Sequence, residues 1–155
     1  MENRLIGDLS HVVIAVRDNE KAQKFFSELT GCKFRKIGES KEVGFISVIG
    51  DNRLEILSPT RPDSDVQKFI DKRGEGIYAV GFNTPDAGAA RAKAEAMGIR
   101  VVGDITEADL GEGTGHGRGM REIWLHPKDT FGVYVLLTQH GELPIEPPWK
   151  MSARS

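Results

Sequence analysis

The sequence predicts an α+β fold in which two βαβββ modules follow one another along a chain of 155 residues. Two observations support this prediction. Each half contains a short β-branched strand, then a helix, then three further stretches with strand character. A shift of 68 positions also aligns three pairs of identical residues: Val12 with Val80, Asp18 with Asp86, and Ala22 with Ala90. The second half therefore repeats the first, and the strands are expected to form a mixed sheet.

Module one is expected to cover about residues 8–60. The segment "SHVVIAV" (Ser10–Val16) is a β-branched run typical of a buried strand, and Asp18 can cap a following helix. Apolar residues recur at helical spacing over Glu20–Leu29, and Gly31 fits the end of that helix. Three strands are then predicted around Lys33–Ile37, Val43–Ile49 and Arg53–Leu57, with a tight turn at Gly50–Asn52.

Module two is expected to cover about residues 76–139 in the same order. Its Ala-rich helix precedes three predicted strands near Arg100–Val102, Arg121–Leu125 and Val133–Leu137. Between the modules, Val66, Phe69 and Ile70 share one helical face, which predicts a linking helix over about 63–73. The proline-rich residues 140–155 are expected to form a C-terminal arm of one single domain, 1–155.

The composition excludes several classes of partner. A formal net charge of −2 provides no broad attraction to nucleic acid or anionic lipid. No apolar run is long enough to cross a bilayer, and the polar start lacks the apolar region of a secretory signal, so a cytoplasmic protein is expected. Cys32 is the single cysteine, which favours a small buried hydrophobic residue over a catalytic thiol.

Four segments resemble a known superfamily. They are "HVVIAV" (His11–Val16), "RLEILSP" (Arg53–Pro59), "SDVQKFIDKRGEGIYA" (Ser64–Ala79) and "WLHPKDTFGVYVLL" (Trp124–Leu137). They are similar to the vicinal oxygen chelate superfamily, which includes glyoxalase I, extradiol dioxygenases, bleomycin-resistance proteins and methylmalonyl-CoA epimerase. The segments are most like those of the epimerases, and the resemblance extends from His11 to Gln139.

The resemblance implies a cup-shaped mixed sheet that holds one divalent metal, such as cobalt, zinc, manganese or nickel. Carried over to this chain, the four ligand positions are His11, Glu55, Ala79 and Leu136. Only His11 and Glu55 have donor atoms, so the metal set is partial and the sequence leaves open whether any metal binds. The internal repeat agrees, because it places Ala79 opposite His11 and Leu136 opposite Glu55.

Several other residues are candidates for binding a substrate. Alternation along the last strand places Tyr134 on the same face as Leu136, and Ala79 is expected to line the same pocket. His116 and Arg118 lie in the glycine-rich segment "GEGTGHGRG" and are candidates for contact with a phosphate or carboxylate. The remaining histidines are expected to have other roles: His126 as a hydrogen-bonding residue at a strand end, and His140 facing solvent.

Two classes of function follow from these residues and the resemblance. The first is an epimerase, isomerase or lyase that acts on an acyl-CoA or a similar small carbonyl compound, either with a rebuilt metal site or with His11 and Glu55 as general acid and base. In this interpretation Glu55 raises the pKa of His11 if the two side chains touch. The second is a metal-free binding protein of the bleomycin-resistance type. The resemblance also implies a homodimer.

Overall fold

The computed structural model describes residues 4–108 and 120–140. Its helices and strands, in chain order, are β1 (Leu9–Ala15), α1 (Asn19–Thr30), β2 (Phe34–Ser40), β3 (Phe45–Gly50), β4 (Leu54–Pro59), α2 (Asp65–Arg73), β5 (Gly76–Asn83), α3 (Ala87–Ala96), β6 (Val101–Ala108), β7 (Met120–Leu125) and β8 (Tyr134–Gln139). A short 3-10 turn, Pro127–Asp129, precedes β8. The predicted α+β class with two βαβββ modules and a linking helix is confirmed.

The described residues fall into two compact units. Residues 12–78 form the N-terminal unit, and residues 4–11 with the described part of 79–140 form the C-terminal unit. In the N-terminal unit, β3 pairs antiparallel with β2 and β4, and β4 pairs parallel with Val12–Ala15 of β1. In the C-terminal unit, β7 pairs antiparallel with β6 and β8, and β8 pairs parallel with β5. Each module thus contains a mixed sheet.

The strand registers support the internal repeat. In module one, Val13 of β1 pairs with Glu55 of β4. In module two, the residue 68 positions later, Gly81 of β5, pairs with Leu136 of β8. Because each parallel pair is fixed by backbone hydrogen bonds, Glu55 and Leu136 occupy equivalent places in their modules.

The two module helices begin with the same cap. The Asp18 carboxylate accepts a hydrogen bond from the Lys21 amide (3.0 Å), and the Asp86 carboxylate accepts one from the Ala89 amide (3.0 Å). These bonds satisfy amide groups that have no partner within the first helical turn. At the end of α1, Gly31 has φ of 75°, the left-handed conformation that glycine adopts without strain.

The two helices differ in how much of their apolar face is buried. In α3, the small side chains of Ala87, Ala90 and Ala94 pack in one cluster with Ile123 and Leu137 of the sheet. In α1, no residue is fully buried, and Phe25 and Leu29 are exposed, although their spacing predicts a packed face. Of the two module helices, then, only α3 fully buries residues of its apolar face.

Strand β6 is longer than its sequence pattern predicts. It continues to Ala108, and its pairing with β7 shifts register between Val102 and Thr106. Gly103, inside this irregularity, has φ of 71°. A bulge of this kind interrupts the alternation of side chains, which explains why the pattern ends early.

Other sequence predictions have mixed outcomes. Cys32 is buried, as predicted. Residues 141–155 of the predicted arm lie outside the described residues. No helix in the part of the chain that the structure describes is long and apolar enough to cross a membrane.

Candidate active site

One face of the C-terminal sheet carries three of the seven candidate site residues, Ala79, Tyr134 and Leu136. Ala79 pairs with Tyr134, Gly81 with Leu136, Trp124 with Leu136 and Glu122 with Thr138. Directly paired residues project to the same side of a sheet. We call this side, lined by Ala79, Gly81, Glu122, Trp124, Tyr134, Leu136 and Thr138, the site face. The opposite side carries Ile123 and Leu137, which pack in the cluster with α3.

The site face combines hydrocarbon with aromatic rings. Ala79 and Leu136 are buried, with 0% and 1% of their surface exposed. The rings of Trp124 and Tyr134 meet edge to face with their centroids 5.5 Å apart. The predicted sharing of one face by Tyr134 and Leu136 agrees with this register.

His11 is buried against the backbone of β5. Its side chain is 5% exposed, and its Nδ1 atom lies 2.9 Å from the Ser10 hydroxyl oxygen. A Cβ atom at Gly81 would lie 2.6 Å from that same nitrogen, so the ring occupies the space that any larger residue at position 81 needs. The absence of a side chain at Gly81 therefore allows His11 to lie against the strand.

The environment of His11 disfavours its charged form. Burial, and secondarily the charge of His140, lowers the pKa of His11 from 6.5 to about 4. The pKa of His11 is thus lowered, because burial and a second histidine dominate its environment, and a rise caused by contact with Glu55 stays a prediction. At neutral pH, His11 is an uncharged imidazole that can both donate and accept a hydrogen bond.

His140 does not simply face solvent, as its position after the last strand predicts. Its Nε2 atom lies 3.1 Å from the side-chain oxygen of Asn83 on β5, and its side chain is partly buried. The parallel pairing of β5 with β8 brings position 140 beside the end of β5, which the sequence pattern alone does not reveal.

Glu122 is the functional candidate that sequence reasoning missed. It is 8% exposed, and its Oε2 atom accepts a hydrogen bond of 2.8 Å from the Thr138 hydroxyl, which is fully buried. The Trp124 side chain provides a second hydrogen bond. Burial raises the pKa of Glu122 from 4.5 to about 7, although both hydrogen bonds act in the opposite direction.

The sequence contained one signal for this carboxyl group. In "MREIWL", Glu122 alternates with the apolar Ile123, which is the usual pattern of a solvent-facing residue on a half-buried strand. Glu122 also lies two residues before Trp124, so the two side chains project to the same face of the strand. A carboxyl group on the same face as a large aromatic ring is the signal.

Glu55, the second predicted acid or base, lies in the N-terminal unit. It is half-buried on β4, and its Oε1 atom accepts a hydrogen bond of 2.8 Å from the Ser47 hydroxyl of β3. His11 belongs to the C-terminal unit, so the pairing of these two side chains stays a prediction.

The remaining candidate residues divide into two groups. His116 and Arg118 lie outside the described residues. His126 has the hydrogen-bonding role expected of it: its Nδ1 atom accepts from the Lys128 amide (3.1 Å) at the start of the 3-10 turn.

The donor set does not fit the metal site that the family resemblance implies. Ala79 and Leu136 have no atom with a lone pair for a metal ion, which leaves His11 and Glu55 at the four positions. Among the side chains of the described residues, no group of three or more His, Cys, Asp or Glu is arranged to hold a metal.

Comparisons with known proteins agree with the fold and the motifs. The model of the Glyoxalase/Bleomycin resistance protein/Dioxygenase superfamily matches residues 10–117. The chain is 34% identical to the mitochondrial methylmalonyl-CoA epimerase of Mus musculus, covering 86% of this chain and 74% of the relative. It is 30% identical to the ethylmalonyl-CoA/methylmalonyl-CoA epimerase of Cereibacter sphaeroides, covering 87% and 99%.

A solved structure matches to a similar extent. A methylmalonyl-CoA epimerase in complex with methylmalonyl-CoA and NH4+ has a TM-score of 0.74 and 28% identity, covering 92% of this chain and 99% of that chain.

Proposed function

Because the chain belongs to the Glyoxalase/Bleomycin resistance protein/Dioxygenase superfamily, we propose that it is an enzyme that moves a proton at the carbon next to an acyl-CoA thioester. The observation that supports this most strongly is the match to epimerases of methylmalonyl-CoA and ethylmalonyl-CoA over nearly the whole chain. The site face, with its aromatic and aliphatic side chains beside two polar groups, is suited to a partly apolar acyl group.

The difficult step of this reaction is the loss of a proton from the α-carbon, because the electron pair left behind becomes an enolate. The developing negative charge on the thioester oxygen needs a hydrogen-bond donor or another positive partner. A neutral imidazole can serve as this donor through its one N–H group. We assign this role to His11, which is held against Gly81 and kept uncharged by burial.

The experiment is deuterium incorporation at the α-carbon of methylmalonyl-CoA in D2O, measured by mass spectrometry. We expect exchange by the wild-type protein, and loss of at least about 100-fold in His11→Ala because a positioned polar group is removed. His126→Ala is the matched control, since His126 hydrogen-bonds the 3-10 turn, and it should keep the wild-type rate.

The same assay tests the absence of a complete metal site. Exchange should survive a strong chelator, because Ala79 and Leu136 remove half of the expected donors. Exchange that is lost on chelation and restored by cobalt would overturn the metal-independent part of the proposal. No exchange under any condition would overturn the enzymatic function itself.

The second candidate function is a metal-free binding protein of the bleomycin-resistance type, which the hydrocarbon at Ala79 and Leu136 favours. Under this alternative, acyl-CoA esters raise the thermal midpoint without any α-proton exchange. Thermal shifts measured on the samples used for exchange therefore separate the two candidates.

The predicted homodimer and cytoplasmic location stay predictions. Light scattering of the purified protein tests the first of these, and a monomeric mass would contradict it.

A further inference from the structure

The two modules hold one carboxylate each at related but different places. In module one, Ile49 of β3 pairs with Glu55 of β4, and in module two, Trp124 of β7 pairs with Leu136 of β8. Counting two residues back along β3 and β7 makes Ser47 equivalent to Glu122. Module one therefore has the Ser47 hydroxyl on its third strand and the Glu55 carboxylate on its fourth. Module two has the Glu122 carboxylate on its third strand and the Thr138 hydroxyl on its fourth, at the place equivalent to Leu57.

We propose that Glu122 is a further catalytic residue, which exchanges a proton with the α-carbon of an acyl-CoA thioester bound against the site face. This inference rests on the proposed function and adds the residue that accepts the proton. The Glu122 carboxylate takes the proton as the C–H bond breaks, and the bond's electron pair becomes the enolate. In D2O the resulting carboxylic acid exchanges with solvent and returns a deuteron to the α-carbon.

The contacts of Glu122 fix its carboxyl group in place. Thr138 and Trp124 both donate hydrogen bonds to it, and both belong to the site face. Glu122 is also a diagonal neighbour of Leu136, whose own partner Trp124 is two residues along β7. Diagonal neighbours on paired strands lie about 7–8 Å apart, within the size of a small acyl group. Glu122 thus projects from the same face of the sheet as the hydrocarbon part of the proposed substrate surface.

The burial of Glu122 is poorly explained by a structural role alone. Removing a carboxylate from water is unfavourable, and a folded protein keeps such a group most readily where its chemistry is used. A carboxyl group whose pKa is raised to about 7 by burial is divided between both protonation states near neutral pH. That condition suits a group that must take up and return a proton.

Other titratable groups on the same side of the sheet also bear on the pH dependence. Among side chains that the structure describes, they are Tyr134 on β8, His140 beyond β8, and His11, which lies against Gly81 of β5. His11 is kept neutral by its low pKa, so it does not titrate near pH 7.

The test is the exchange assay on Glu122→Gln, with Glu28→Gln as matched control because Glu28 is exposed on α1. We expect Glu122→Gln to lose at least about 100-fold of the exchange rate while still showing a thermal shift with an acyl-CoA ester. The Glu28→Gln rate should equal wild type. Far-UV circular dichroism of each variant checks that it is folded.

The pH profile provides a second test that does not depend on the folding of Glu122→Gln. Exchange by the wild type should rise as the pH passes through about 7, because only the carboxylate accepts a proton. Thr138→Val removes a hydrogen bond that lowers the pKa of Glu122. The inflection in the pH profile of this variant should therefore move to higher pH, while much of the maximal exchange rate is kept.

The outcomes separate this inference from the function on which it rests. Absence of exchange in the wild type would overturn both. Wild-type exchange with a rate in Glu122→Gln within about threefold of it, or an inflection unmoved in Thr138→Val, would overturn the role of Glu122 and leave the enzyme proposal standing.

Discussion

Modules one and two share their order of strands and the registers of their two inner strand pairs but differ in where they place polar groups. Val13 and Gly81 are equivalent, as are Glu55 and Leu136, yet module one has a valine and a carboxylate where module two has a glycine and a leucine. The inner strand pairs have the same backbone pairing in both modules, while the carboxylate lies on the fourth strand of module one and on the third strand of module two. Equivalent backbone positions in a duplicated fold can therefore carry side chains of different chemistry.

The helices α1 and α3 also agree in local structure and differ in packing. Both begin with an aspartate cap at equivalent positions, which depends only on local backbone geometry. They differ in packing, because α3 presents small alanines to its sheet and α1 presents phenylalanines that remain partly or wholly exposed. The aspartate cap is thus the same in both modules, although the packing of the helix that follows it differs.

The largest expected effect comes from making module two equal to module one. Ala79→His combined with Leu136→Glu adds two donors to the face that already holds His11, since positions 79 and 136 both belong to the site face. We expect the double variant to bind about one equivalent of cobalt or zinc, because three donors then share one surface. Metal analysis after dialysis measures this.

The two new polar side chains should destabilise the metal-free double variant, since positions 79 and 136 are buried. Added metal should then raise its thermal midpoint more than that of the wild type. A double variant that retains no more metal than the wild type would show that the modules differ by more than their donors.

The next effect concerns the carboxylate that module two has moved to β7. Because the folded-state pKa of Glu122 is about 7 and its ordinary value is 4.5, the folded protein binds more protons between these pH values than the unfolded chain does. Stability contributed at this group therefore falls as pH rises through that window, by roughly 3 kcal/mol in total. Glu122→Gln should remove this loss.

Urea unfolding at pH 5 and pH 8 measures the difference between Glu122→Gln and the wild type. The free energy of unfolding of Glu122→Gln should increase relative to that of the wild type as the pH rises. The exposed control Glu28→Gln should show no such relative increase. Parallel stability curves for Glu122→Gln and the wild type would contradict the raised pKa.

A smaller effect is expected where the modules differ by a glycine. Gly81→Val gives module two the residue that module one has at Val13, but the new side chain must occupy the space of the His11 ring. We expect a loss of roughly 1–3 kcal/mol from overpacking, with a fall in α-proton exchange as His11 is displaced. Chemical denaturation and the exchange assay check the two effects, and unchanged values of both would show that His11 does not depend on Gly81.

The smallest expected effect compares the two helices. Ala90→Leu places three additional carbon atoms in the packed cluster under α3 and should cost about 1–2 kcal/mol. Ala22→Leu, at the equivalent position of α1, should change stability by less than about 0.5 kcal/mol because no residue of α1 is fully buried. Equal losses in thermal unfolding would show that the two helices pack alike.

The sequence by itself determined the features that depend on local chemistry and on the repeat. The element order, the caps Asp18 and Asp86 and the linking helix all follow from residues read in order. These predictions succeed because capping and side-chain alternation act over a few residues, and because a duplication shows which positions are equivalent.

Only the tertiary structure decided the state of the polar groups. Three features depend on residues that are far apart in the chain: the neutral state of His11, the contact of His140 with Asn83, and the burial of Glu122 beside Thr138. The protonation states of these side chains depend on how far the neighbouring strands shield them from water. The residue pattern of a single strand does not show which of its side chains a neighbouring strand buries. Burial therefore set the pKa of both His11 and Glu122, which the sequence pattern did not predict.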